Sequence, residues 1–153
     1  MNKIEIGSTI PSFQLYDQKG QLIDISDYIG KQKLIIFFYP KNDTPGCTKE
    51  ACLFRDHYEE FVDAGAMVIG IGKHSIEEQA QFAQKHRLNY TLLSDADNKI
   101  RKLFGVPKSL FGLLPGRVTY VVDRTGKVAY IFNSQTQIEK HIKQSLHIIS
   151  EQP

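Results

Sequence analysis

The 153-residue chain has only two cysteines, two methionines and no tryptophan. Two cysteines are too few for a secreted disulfide scaffold; they suit a reducing compartment in which any disulfide is transient and functional. With no second cysteine pair, a structural zinc site is not expected either. Charge of one sign is also lacking: 19 Lys and Arg against 17 Asp and Glu leave a formal +2, and the lysines are scattered. That argues against nucleic acid or an anionic membrane as the main partner. The apolar run Leu34–Tyr39 is far too short to span a bilayer, and Met1–Gly7 has no signal-type apolar region. The expectation is a soluble cytoplasmic protein, or an organellar one if a transit sequence has been removed. Internal repeats, low-complexity tracts and linker-like composition shifts are missing as well, so residues 1–153 are expected to form a single domain.

What is present is an alternation of strand and helix signals. Phe13–Leu15 and Leu22–Ile25 flank Asp17-Gln18-Lys19-Gly20, which predicts an N-terminal hairpin. Leu34–Tyr39 reads as a buried strand, followed by a helix to about Ala64 that Gly65 ends. Met67–Ile71 is a second buried strand, and the three elements make a right-handed parallel βαβ unit. Ser75 is placed to cap a helix with Ile76, Ala80 and Ala83 at helical spacing. A short segment at Tyr90–Leu93 precedes a helix around Asp97–Phe104. Val118–Val122 and Lys127–Phe132 flank Asp123-Arg124-Thr125-Gly126, a hairpin signal. The last helix carries Ile138, Ile142 and Ile149 on one face. Together these predict an α/β, thioredoxin-like fold: a central mixed β-sheet flanked by helices, with an N-terminal β-hairpin extension.

The stretch from Phe37 to Cys52 carries the chemistry. An apolar strand runs into a short polar loop, and the loop ends where a helix begins. Thr44 suits the N-cap, Pro45 the first helical position, and Cys47 falls third. Unpaired N–H groups and the positive end of the helix dipole there favour a thiolate over a thiol. Cys47, Ala51, Phe54, Tyr58 and Phe61 share one face, so Cys47 tops the core-facing stripe. Cys52 lies about 140° further round. Cys47, Cys52 and His57, at successive fives, point in three directions and cannot converge on one metal ion without breaking the helix. A buried structural cysteine is the alternative reading of Cys47, and the capped helix start speaks against it.

These residues resemble the peroxiredoxins, and among them the Q group, also called bacterioferritin comigratory proteins. Pro40, Thr44 and Cys47 meet the P-x-x-x-T-x-x-C core. Cys52 meets the Q group's second cysteine, and Arg117 in Pro115-Gly116-Arg117-Val118 meets its arginine at the start of a late strand. The resemblance runs from Gly7 to about Ile149. It implies a thiol peroxidase acting on hydrogen peroxide and organic hydroperoxides, with Cys47 as the peroxidatic nucleophile that becomes a sulfenic acid. By the same resemblance Cys52 resolves it in an intramolecular disulfide, Thr44 and Arg117 activate the peroxide, and Pro40 shields the thiolate from water. No metal, haem or flavin cofactor is implied; the reductant is thioredoxin or a similar dithiol, and the protein is a monomer. A Cys47–Cys52 bond would also require the helix to unwind. Residues five apart have Cα atoms roughly 8.6 Å from one another on an intact helix, and a disulfide spans at most about 7 Å.

Other residues leave alternatives open. Glu50, within the group's Lys-Glu-Ala-Cys pattern, either orders Arg117 or occupies a solvated face. His74, His86, His141 and His147 show no pairing pattern and are expected in solvent. Gly72-Lys73-His74-Ser75 departs from the acidic, serine-rich turn common in the group. Pro107–Pro115 encloses four large apolar residues, either as a pocket wall that sets Phe111 and Leu113 against substrate or as a contact surface. Two rival functions remain. A thioredoxin-type oxidoreductase wants two residues between its cysteines, whereas this chain has four. A peptide-binding module would leave both cysteines structural.

Overall fold

The structure, a computed structural model, describes residues 3–109, 112 and 114–153. Strands β1 (Gln14–Asp17) and β2 (Leu22–Asp24) form the predicted hairpin. Its turn is closed by Gly20 at φ 77° and by the Asp17 carboxylate, which accepts from the amides of Lys19 and Gln21. β3 (Lys33–Phe38) follows, then α1 (Pro45–Asp56), α2 (Tyr58–Asp63), β4 (Ala66–Gly72), α3 (Ile76–His86), β5 (Thr91–Ser94) and α4 (Lys99–Phe104). Two short strands, β6 (Lys108–Ser109) and β7 (Leu114–Pro115), pair with each other. The chain closes with β8 (Val118–Val122), β9 (Val128–Asn133) and α5 (Ile138–Glu151).

Seven strands share one sheet in the order β2-β1-β5-β4-β3-β8-β9. β3, β4 and β5 run parallel; β8 is antiparallel to β3, β9 to β8, and β1 to β5. The expected mixed sheet is therefore present, and the hairpin extension joins it through β1. β3 sits centrally, and its alternating residues feed two cores. Leu34, Ile36 and Phe38 pack with Ile69, Ile71, Phe104 and Tyr120, while Ile35, Phe37 and Tyr39 pack with Cys47, Ala51, Phe54, Phe61 and Ile142. Burial on both faces is why this strand reads as an unbroken apolar run. On β4, Gly70 and Gly72 make room for the rings of Phe37 and Tyr39; a Cβ at either would sit 2.7 Å from a ring atom.

Two expectations need correction. The helix predicted to run to Ala64 is two helices, broken at His57, whose ψ of 9° departs from helical geometry and whose Nδ1 meets Glu60 Oε1 at 2.8 Å. On α3 Ser75 caps the helix as expected, Glu78 completes a capping box with it, and the buried face centres on Gln79 and Phe82. Ile76, Ala80 and Ala83 lie half-buried at its edge. The segment Pro107–Pro115, expected as a loop, begins and ends in paired strands. Phe111 and Leu113, named above as pocket residues, lie outside the described residues, as does Leu110.

Candidate active site

β3 runs into Pro40, which has no N–H with which to continue a ladder. The loop beyond it is held by polar bonds from α3 and the β4–α3 turn. Tyr39 OH and Asn42 Nδ2 both donate to Gln79 Oε1, at 3.0 and 2.9 Å. Gln79 Nε2 donates to the Leu93 carbonyl, and the Asn42 amide donates to His74 Nε2. Tyr39, Asn42, His74 and Gln79 are all buried, while Pro40 is half-buried. Thr44 then takes the N-cap position with extended backbone, Pro45 begins α1 and Cys47 is its third residue, as the sequence predicts.

The Thr44 hydroxyl does not cap the helix. It donates instead to the Lys41 carbonyl at 2.9 Å. Asp43, with φ 61°, turns the loop back on itself and brings that carbonyl within reach. The hydrogen of Oγ1 is therefore engaged, and its lone pairs remain.

Cys47 is buried and Cys52 half-buried; both thiols are free, on a helix unbroken from Pro45 to Asp56. Arg117 stands immediately before β8, buried, and reaches across the end of the sheet to α1. Its Nη1 donates to Glu50 Oε1 at 2.8 Å and its Nε to the Gln135 carbonyl. A Cβ on Gly46 would meet its Nη2 at 2.9 Å, so the missing side chain lets the guanidinium lie against the turn that carries Cys47. Glu50 is fully buried, which settles its two readings in favour of the pairing with Arg117.

The expectation of solvated histidines fails for His74 and His141, both buried. His141 comes from α5, where it shares the buried face with Ile138, Ile142, Ser145 and Ile149. Its Nε2 lies 2.7 Å from the Ser134 carbonyl, which can only accept, so Nε2 carries the hydrogen. Burial pushes the imidazole down to about 4, so it is neutral at pH 7 and Nδ1 accepts from the Thr119 hydroxyl at 2.7 Å. That Nδ1 stands 3.5 Å from Glu50 Oε2, a buried oxygen with no hydrogen-bond partner. Burial raises the Glu50 carboxyl to about 7, against the pull of Arg117.

The opposite shifts of Glu50 and His141 have opposite consequences for stability. A carboxyl raised from 4.5 to about 7 on folding loses stability as pH climbs through that window, because the unfolded chain ionises first. An imidazole lowered from 6.5 to about 4 loses stability as pH falls through its window, because the unfolded chain protonates first. Between pH 4.5 and 6.5 the two slopes oppose each other. Removing one partner should expose the other. His141→Asn should make stability fall toward neutral pH, and Glu50→Gln should make it fall toward acid, each by up to about 1.4 kcal/mol per pH unit. Urea unfolding across this window measures the slopes, and parallel curves for both variants and the unsubstituted protein would refute the assignment.

Sequence reading missed Thr119, His141, Asn42 and Gln79. Only His141 left a signal, its place in the apolar stripe of the last helix. Among the described residues, no three His, Cys, Asp or Glu side chains group as a metal site, and no helix is long and apolar enough to cross a membrane.

A buried thiol at a helix start, a caged arginine beside it and a second free thiol on the same helix make up a thiol-redox centre on a thioredoxin-like sheet. Residues 6–131 match the AhpC/TSA family. The chain is 51% identical over 147 residues to the chloroplastic peroxiredoxin Q of Sedum lineare, covering 96% of this chain and 78% of that one. In structure it is similar to the peroxidoxin BcpB of Mycobacterium tuberculosis, with a TM-score of 0.86 at 37% identity, over 95% and 96% of the two chains. It is also similar to the bacterioferritin comigratory protein of Xanthomonas campestris, described for alkyl peroxide reduction, with a TM-score of 0.81 at 26% identity over 95% of each chain. The chain belongs to the AhpC/TSA family, and within it to the peroxiredoxin Q group. It is a thiol-dependent peroxidase that reduces peroxides.

Proposed function

We propose that Cys47 is the peroxidatic nucleophile and Cys52 the resolving thiol, with Thr44 and Arg117 holding the peroxide and Pro40 walling off water. The observation that carries this is the Arg117 guanidinium, buried against Gly46 and fixed by Glu50 at the turn that bears Cys47. The Cys47 thiolate attacks one peroxide oxygen: an S–O bond forms, the O–O bond breaks, and the departing alkoxide or hydroxide takes up a proton. Arg117 supplies a rigid, permanently charged donor for oxygens whose charge grows along this path. With its own hydrogen on Lys41, Thr44 accepts the peroxide O–H through Oγ1 and so orients it. Cys52 then attacks the sulfenic sulfur, a disulfide forms, and water leaves.

Organic hydroperoxides join hydrogen peroxide as substrates, a reading supported by the alkyl peroxide reduction of the Xanthomonas campestris relative. The disulfide is returned to two thiols by thioredoxin or a similar dithiol, and the protein works as a monomer of one domain. Its setting is a reducing compartment, the cytoplasm or an organelle; the chloroplastic name of the Sedum lineare relative supports the organellar one.

Stopped-flow oxidation by hydrogen peroxide tests the assignment. Thr44→Val should lower the second-order rate about a hundredfold. Thr44→Ser, which keeps the hydroxyl, should stay close to normal. Arg117→Lys should lose at least about tenfold, since a point charge cannot replace a fork. Near-normal rates for both Thr44→Val and Arg117→Lys would strip these residues of the role.

A further inference from the structure

Arg101 sits on α4, on the face of the sheet opposite Cys47. It is buried, and its guanidinium carbon lies 5.6 Å from the centre of the Phe38 ring. Its backbone is fixed by Asp95, a buried carboxylate that accepts from the amides of Ile100 and Arg101 and whose own amide is tied to the Gly72 carbonyl. From there the side chain reaches the end of the sheet, where it makes two bonds to main-chain oxygens. Nη1 donates to the Gly116 carbonyl at 2.9 Å and Nη2 to the Tyr39 carbonyl at 3.1 Å.

Those two carbonyls immediately precede Arg117 and Pro40. β3 and β8 are paired as far as Phe38 opposite Val118. Continued outward, the register would set Pro40 against Gly116, where proline has no N–H to give. The sheet therefore cannot hold the two chains together at the point where both enter the active site. One planar fork takes over, with two charge-assisted bonds whose spacing is fixed by the guanidinium itself.

We propose that Arg101 is a positioning residue for peroxide reduction, clamping the peptide before Pro40 to the peptide before Arg117 and so setting the width of the peroxide site. The inference rests on the roles given above to Pro40 and Arg117. Burial works against the charge on Arg101, and among its neighbours Asp95 and Cys47 favour it. Charge alone is separable from clamping, because a lysine keeps the first and cannot bridge both carbonyls.

The test compares two reactions of Cys47 in a Cys52→Ser background. Oxidation by hydrogen peroxide needs the full site, whereas alkylation by iodoacetamide needs only the nucleophilic sulfur. Arg101→Lys should slow oxidation roughly tenfold, as small misplacements of reacting groups do. Alkylation should stay within about twofold, since the helix start that activates the sulfur is untouched. Arg101→Gln, which removes the charge as well, should slow oxidation at least as much. Joined to Arg117→Lys, the Arg101→Lys change should cost less than its separate effect, because the two act through one geometry.

An unchanged oxidation rate in Arg101→Lys would overturn the clamp, whatever Arg117→Lys does. So would equal losses in oxidation and alkylation, or an Arg101→Lys protein whose thermal melt shows it unfolded, since either makes the bonds a matter of stability alone. A slow Arg101→Lys beside a normal Arg117→Lys would instead remove the role of Arg117 and leave the clamp acting through Pro40.

Discussion

Cys47→Ser should abolish peroxide turnover, whereas Cys52→Ser should still consume about one equivalent of peroxide per chain before it stops. The asymmetry follows from where the two sulfurs stand. Cys47 is in the first turn of α1, next to Gly46, against which the Arg117 guanidinium lies, and beside the loop that Thr44 closes. Cys52 lies further along the helix, half-buried, where its neighbours are Arg55 and Tyr90. The Arg55 guanidinium is taken up by Asp56 and the His86 carbonyl, and the Tyr90 hydroxyl gives its hydrogen to the Ala51 carbonyl, so neither is aimed at a peroxide. Without a resolving partner, the Cys47 sulfenic acid should advance to sulfinic acid under excess peroxide, which intact-mass spectrometry reads as added oxygens. An active Cys47→Ser beside a dead Cys52→Ser would invert the two roles.

Oxidation should also melt α1. In the reduced protein the helix is regular through both cysteines, so their Cα atoms are held roughly 8.6 Å apart, beyond the reach of a disulfide at about 7 Å. The bond can form only if the turns from Pro45 to Cys52 open. Opening must release the bond from Tyr90 OH to the Ala51 carbonyl at 2.9 Å, and it frees Gly46 from beneath Arg117. Amide hydrogen exchange from Thr48 to Arg55 should therefore speed up by orders of magnitude in the oxidised form, while β3 and β4 keep their protection. Equal protection in both redox forms would mean that these two cysteines do not bond within one chain.

Much of this was legible in the sequence, for reasons that also explain the gaps. β3, β4 and β8 are buried on both faces, and that requirement writes itself as largely apolar runs, interrupted in β8 by Thr119. Thr44, Pro45 and Cys47 announce a helix start through local chemistry. The break at His57 is silent because the apolar stripe continues through Tyr58 and Phe61 on its far side. Glu50 looked equally able to face water because its partner is 67 residues away. Arg101 was invisible for a further reason: it binds main-chain carbonyls, which every residue possesses and no pattern reveals.

The break at His57 bears on how quickly the enzyme can be ready for its next turnover. Helix opening is cooperative, and in one continuous helix the loss of the first turns would spread toward Phe61 and the core beneath it. Here α2 holds its own start, with the His57 carbonyl accepting from Glu60 and Phe61. Its end is also held, because buried Lys33 donates to the Ala64 carbonyl as well as to those of Ile149 and Gln152 at the end of α5. Opening should thus be confined to the 12 residues of α1, with the rest of the molecule staying as a template. Once the disulfide is reduced, α1 has only to wind back onto a finished surface, a process on the order of a microsecond for a short helix. The recovery time of the catalyst should then be set by its encounter with the reductant and not by its own refolding.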